Sequence, residues 1–144
     1  MKRILWVSFI AILVGGFFAF FMFDGSVSNS VSISSSSYNA KAFQIGVFSR
    51  IDNANRVAEL NKGIVVTDGD LYRVYIAILN DNDAISYLSN YYKSVGINYY
   101  VRDIKVSSEF LDAIEERQEK IKECNESNCS NIALSILNRY EESL

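Results

Sequence analysis

The sequence predicts an α+β fold: a ferredoxin-like βαββαβ sandwich with a four-stranded antiparallel sheet. An N-terminal transmembrane helix precedes it and a C-terminal helical hairpin follows it. Three observations carry this. Residues 4–23 form an uninterrupted apolar run. Between Phe43 and Val106, stretches of period-two alternation trade places with stretches of helical spacing in the order β-α-β-β-α-β. After Val106, two amphipathic helical patterns flank a pair of cysteines.

Residues 1–24 read as a cytoplasmic start and an anchor. Lys2 and Arg3 precede twenty uncharged residues, Ile4 to Phe23, with Ser8 as their one clearly polar side chain. At about 1.5 Å per residue this run crosses a hydrocarbon core of roughly 30 Å. The basic flank belongs in the cytoplasm, so the rest of the chain is expected outside. The competing reading is a cleaved signal peptide; the run is long for one, and no small-residue cleavage site follows it. Residues 25–41 carry eight serines and read as a flexible Ser-rich linker, roughly 20–25 Å end to end.

The expected module spans residues 42–106. Ala42 to Phe48 alternates, with Phe43, Ile45 and Val47 set against Gln44, Gly46 and Phe48. Asp52 is the expected N-cap of a helix through Ala54, Val57 and Ala58, and Gly63 the expected stop. Ile64 to Thr67 is a short β-branched strand, and Asp68-Gly69 marks a turn. Leu71 to Leu79 is the longest strand, with Tyr72, Val74, Ile76 and Ile78 on one face. Asn80 to Asp83 supplies caps for a helix through Ala84, Leu88 and Tyr92 that stops at Gly96. Asn98 to Ile104 is the fourth strand. Two helices on one face call for Phe43, Ile45, Val74, Ile76 and Val101 beneath them. Gln44, Gly46, Arg73, Tyr75, Tyr100 and Arg102 then occupy the opposite face.

These residues resemble a family. Phe-Gln-Ile-Gly-Val-Phe-Ser at 43–49, a helix with Ala54, then Leu71-Tyr72-Arg73-Val74-Tyr75-Ile76 and Ala84 are similar to a SPOR (sporulation-related repeat) domain. The resemblance implies a βαββαβ fold that binds peptidoglycan glycan strands on its open sheet face, as part of a single-pass membrane protein. It places Gln44, Gly46 and Arg73 on that face. Val47 stands where the family commonly has Ser, and Ala77-Ile78-Leu79 replaces its usual Gly-Pro-Phe-like strand end. The chemistry suits a sugar independently. Gln44 donates and accepts, Arg73 offers a planar fork of donors, and Tyr75 and Tyr100 offer flat rings with polar tips. An ordinary solvated sheet face has the same composition.

The C-terminal extension, residues 107–144, begins with Ser107 or Ser108 as a cap. A first helix runs to about Cys124, and a second spans Asn131 to Leu144. Cys124 and Cys129, outside the membrane, are candidates for a disulfide closing the turn; two reduced thiols are the alternative. Asn125-Glu126-Ser127 matches a glycosylation sequon. The hairpin has three places to bury its stripes: the open sheet face, a sheet edge, or another chain.

Beyond residue 24 the charge is −4, which offers no attraction to nucleic acid. The chain has no His, removing the usual general base and the commonest zinc ligand. Neither cysteine has a base nearby in sequence, Asp68 and Asp70 fall in a turn, and Glu115 and Glu116 fall on a charged helix face. The reading is therefore not an enzyme, without cofactor or metal. It is a bacterial single-pass membrane protein whose extracytoplasmic module binds peptidoglycan glycan in cell division, sporulation or envelope maintenance. The alternative is a protein-interaction module of an envelope complex on the same fold.

Overall fold

The structure is a computed structural model, and it describes residues 37–144. The expected anchor over residues 1–24 and the expected linker up to residue 36 lie outside the described residues. Among the described residues, no helix is long and apolar enough to cross a membrane.

Eight elements follow one another: β1 (Ser37–Phe48), α1 (Ile51–Asn61), β2 (Ile64–Asp68), β3 (Leu71–Leu79), α2 (Asn82–Ser94), β4 (Tyr100–Ser107), α3 (Ser108–Lys122) and α4 (Cys129–Glu141). The fold is α+β. Four strands form one antiparallel sheet in the order β2-β3-β1-β4.

β1 begins at Ser37, inside the stretch expected to be linker. Its first residues show no hydrophobic alternation, but Ser37 to Lys41 pair with Asp103 to Ser107, and Ala40 is buried. Tertiary pairing overrides a composition that reads as coil. β4 is displaced for the same reason, running to Ser107 rather than Ile104. Ser107 then caps α3, its Oγ accepting from the Phe110 amide at 3.2 Å.

Two helix ends differ from expectation. The N-cap of α1 is Arg50, without a side-chain cap; Asp52 sits in the first turn, where a carboxylate still suits the helix dipole. At the other end Lys62, not Gly63, takes the left-handed conformation (φ 52°). Gly63 serves close approach instead. A Cβ there would lie 2.6 Å from the Tyr75 carbonyl oxygen. α2 follows its sequence pattern, with Ala84 N–H donating to Asp81 Oδ1 at 2.8 Å. Gly96 (φ 76°) ends it, and Ile97 N–H closes back on the Tyr92 carbonyl at 2.9 Å.

The register between β1 and β3 breaks at Phe43/Gln44 and again at Gln44/Gly46. Directly opposed residues share a face of the sheet. Phe43 opposes Ala77 and Ala42 opposes Ile78, yet past the break Gln44 opposes Tyr75 and Gly46 opposes Val74. The simple alternation expected of β3 therefore fails at Ile76. Val74 faces α1, packed on Ala54 and Ala58, while Ile78 pairs with Ala42 on the other side.

α1 and α2 cover one face. Phe43 packs there against Tyr92 and Tyr99, with ring centroids 5.8 and 5.0 Å away. Tyr92 is buried, and its hydroxyl donates to the Ile76 carbonyl at 3.0 Å. Burial pushes the pKa of that phenol up. The C-terminal hairpin is no accessory. α4 packs on β3 and reaches β2. Phe110, Ile114, Ile136, Leu137 and Tyr140 join the same core as Phe43 and Leu88. Gln118, the one buried polar side chain among the described residues, ties α3 to the β3–α2 loop. Its Oε1 accepts from the Asn80 and Asp81 amides at 2.8 and 3.0 Å, and its Nε2 donates to Asn80 Oδ1 at 2.8 Å.

Candidate functional site

The face away from α1 and α2 divides in two. At one end, α3 and α4 cover Ala40, Ala42 and Val106. At the other, a polar cluster stays within reach of solvent. Asp68, the last residue of β2, places Oδ2 2.6 Å from Arg73 Nε and 3.1 Å from Arg102 Nη1. Arg73 Nη1 also donates to Gln44 Oε1 at 3.1 Å. Four side chains from four strands thus form one chain of bonds across the sheet: Arg102 of β4, Asp68 of β2, Arg73 of β3 and Gln44 of β1.

The sheet sets this geometry. Asp68 opposes Leu71 and Val66 opposes Arg73, so Asp68 and Arg73 are diagonal neighbours on one face of the hairpin. Gln44 opposes both Tyr75 and Tyr100, which brings Arg73 and Arg102 toward it from either side. The Arg73 hydrogen bond, then that of Arg102, hold the Asp68 carboxyl below its ordinary value. Two guanidinium groups share one carboxylate, so the cluster keeps a net positive charge. Each guanidinium carries five N–H donors; Arg73 gives two bonds within the cluster and Arg102 one.

No protein-family model, curated protein or solved structure matches this chain.

The six residues singled out for the open face part company here. Gln44, Arg73 and Arg102 converge as described. Tyr100 stands beside them, 68% exposed. Tyr75 is on the same face but only 3% exposed, covered from the hairpin side, where it lies close enough to Tyr140 to help raise that phenol's pKa. Burial pushes both phenols up. Gly46 is not on this face. The register break places it opposite Val74, and a Cβ there would lie 2.5 Å from the Phe48 ring.

Asp68 is the participant that sequence reasoning leaves in a turn. A signal for it exists: once Asp68-Gly69 is taken as a hairpin turn, alternation puts residues 68 and 73 on one face. Cys124 and Cys129 are joined in a disulfide, with their Cα atoms 5.2 Å apart. The loop they close docks on α2. Tyr87 Oη donates to the Cys124 carbonyl at 2.5 Å, and Tyr91 Oη lies 3.0 Å from Ser130 Oγ. In the sequon, Asn125 Oδ1 accepts from the Ser127 hydroxyl at 2.6 Å. Among the described residues, no group of three or more His, Cys, Asp or Glu is placed to hold a metal ion.

Proposed function

We propose that this chain is a non-catalytic, membrane-anchored envelope module. It holds peptidoglycan glycan strands on the uncovered half of its sheet. The strand order β2-β3-β1-β4, with α1 and α2 on one face, supports a ferredoxin-like βαββαβ sandwich carrying a C-terminal hairpin. The observation that carries the functional reading is the solvent-accessible array of Gln44, Arg73 and Arg102 beside the exposed Tyr100 ring. Guanidinium and amide donors suit sugar hydroxyls and acetamides, and a tyrosine face suits the apolar face of a pyranose. Tyr75 supports this array from beneath rather than touching a ligand, and Gly46 is no part of it.

Retention of the detergent-solubilised full chain on purified sacculi tests the proposal. Arg73→Ala and Gln44→Ala each weaken retention, Arg73→Ala by roughly tenfold, in line with loss of a hydrogen bond to a charged donor. Unchanged retention of the double variant would falsify the assignment of this face. A second reading, an interaction module for an envelope complex, draws on the burial of Tyr75, which leaves only half a face for a glycan. Crosslinking that captures protein partners while sacculi binding fails distinguishes it.

A further inference from the structure

β2 ends the sheet on its side and pairs only with β3. Among the described residues, no strand bonds the backbone groups on its outer edge. α1 lies on one face of the sheet, with Ala54 and Ala58 against Val74. α4 lies on the other, packing on β3 and β2. A cavity of about 510 Å³ is touched by both helices and by β2 between them, so it sits at the free edge. It is bounded above and below and continues the plane of the sheet. An added strand would lie about 4.8 Å from β2, in that plane.

The slot has a chemical character. Ile64 and Val65 of β2 and Leu134 of α4 give it apolar walls, while Glu59 of α1 and Glu141 of α4 put a carboxylate on each side. Two cations near it are engaged. Lys62 Nζ donates to Asn131 Oδ1 at 2.7 Å, bridging α1 to α4, and Arg139 pairs with Glu142 at 2.8 Å. β2 itself carries no proline or lysine of the kind that blunts an exposed edge. A second copy docking by its own β2 would bring Glu59 and Glu141 against their equivalents, which like-charge repulsion opposes.

We propose that this edge accepts an extended, basic segment of a protein partner as a fifth strand. Main-chain hydrogen bonds supply affinity, and the two carboxylates, one on each side, select lysine or arginine at neighbouring positions whose side chains point to opposite faces of the added strand. The site is separate from the Gln44–Arg73 face and does not depend on the glycan reading.

The test titrates the detergent-solubilised full chain with a labelled, end-capped hexapeptide in which two adjacent lysines are flanked by valines, read by fluorescence anisotropy. Saturable binding is expected. The same peptide with glutamate for lysine binds roughly tenfold more weakly or worse; of two lysine peptides N-methylated at alternate amides, the one methylated on the amides facing β2 weakens likewise and the other binds like the parent. Glu59→Lys combined with Glu141→Lys reverses the preference between acidic and basic peptides while sacculi retention is unchanged. Absence of binding overturns the proposal, as does equal binding of the N-methylated peptides. Strong hydrogen-exchange protection of the outward β2 amides in the free chain also overturns it, because the slot is then filled by this chain or a second copy.

Discussion

Arg73 donates from Nε to Asp68 Oδ2 across 2.6 Å, linking the two strands of the β2–β3 hairpin on the face away from α1. The carboxylate also takes a bond from Arg102, so β4 is tied to a hairpin it never pairs with. The cluster is therefore a structural clasp as well as a candidate binding surface. Its charge state links stability to pH.

Asp68 is held below the ordinary aspartate value of 3.8, chiefly by the Arg73 hydrogen bond. A depressed folded-state pKa means that the stabilisation is fully present above 3.8. It is lost as pH falls through the lowered folded value. In urea denaturation, the gap between the native protein and Asp68→Asn is expected to be constant from pH 7 to about pH 5 and to narrow below 3.8. A gap that persists unchanged at about pH 2 would contradict this linkage.

Gln118 is buried and makes three hydrogen bonds to Asn80 and Asp81. Gln118→Leu keeps the volume but strands two backbone donors, so a loss of about 2 kcal/mol is expected. Equilibrium unfolding measures it. Gln118→Glu retains the acceptor for both amides. At a pH where the introduced carboxyl is protonated, it should recover part of the loss.

The hairpin's share of the core is tested by contrast. Leu137 is fully buried and Leu60 is 77% exposed. Leu137→Ala should cost about 3 kcal/mol, and Leu60→Ala less than about 0.5 kcal/mol. Similar small losses at both sites would mean that α4 is not part of the cooperative unit.

Reducing the Cys124–Cys129 bond releases a short loop, worth about 2 kcal/mol on the chain-entropy model. The melting temperature is expected to fall on reduction. Cys124→Ser with Cys129→Ser should melt at the reduced protein's temperature and ignore reductant.

Much of this fold is legible in the sequence because local signals agree with tertiary demand. α2 carries Asp81, a periodic apolar stripe and Gly96, and forms where these place it. The Ser107 cap of α3 and the turn at Gly69 behave likewise. What escapes a sequence reading is set by distant partners. Ser37 to Lys41 reads as coil and becomes strand because β4 pairs with it. Alternation assigns Gly46 to the open face, but a register break moves it to the other side. Gln44, Arg73 and Arg102 are found from alternation alone. Their anchor Asp68 is hidden by its place beside a turn, and no local pattern foretells that α4 covers Tyr75.

The placement of β1 has a mechanical consequence. Its first residue, Ser37, is where the chain enters the sheet, and β1 is bonded to β3 on one side and β4 on the other. Tension arriving at Ser37 along the strand does not peel a free edge one bond at a time. It loads the β4 ladder over Ser37 to Ala40 and both ladders from Lys41 onward, in shear, because their hydrogen bonds lie across the direction of pull. A pull along β1 from Ser37 therefore meets its hydrogen bonds as a group rather than in sequence.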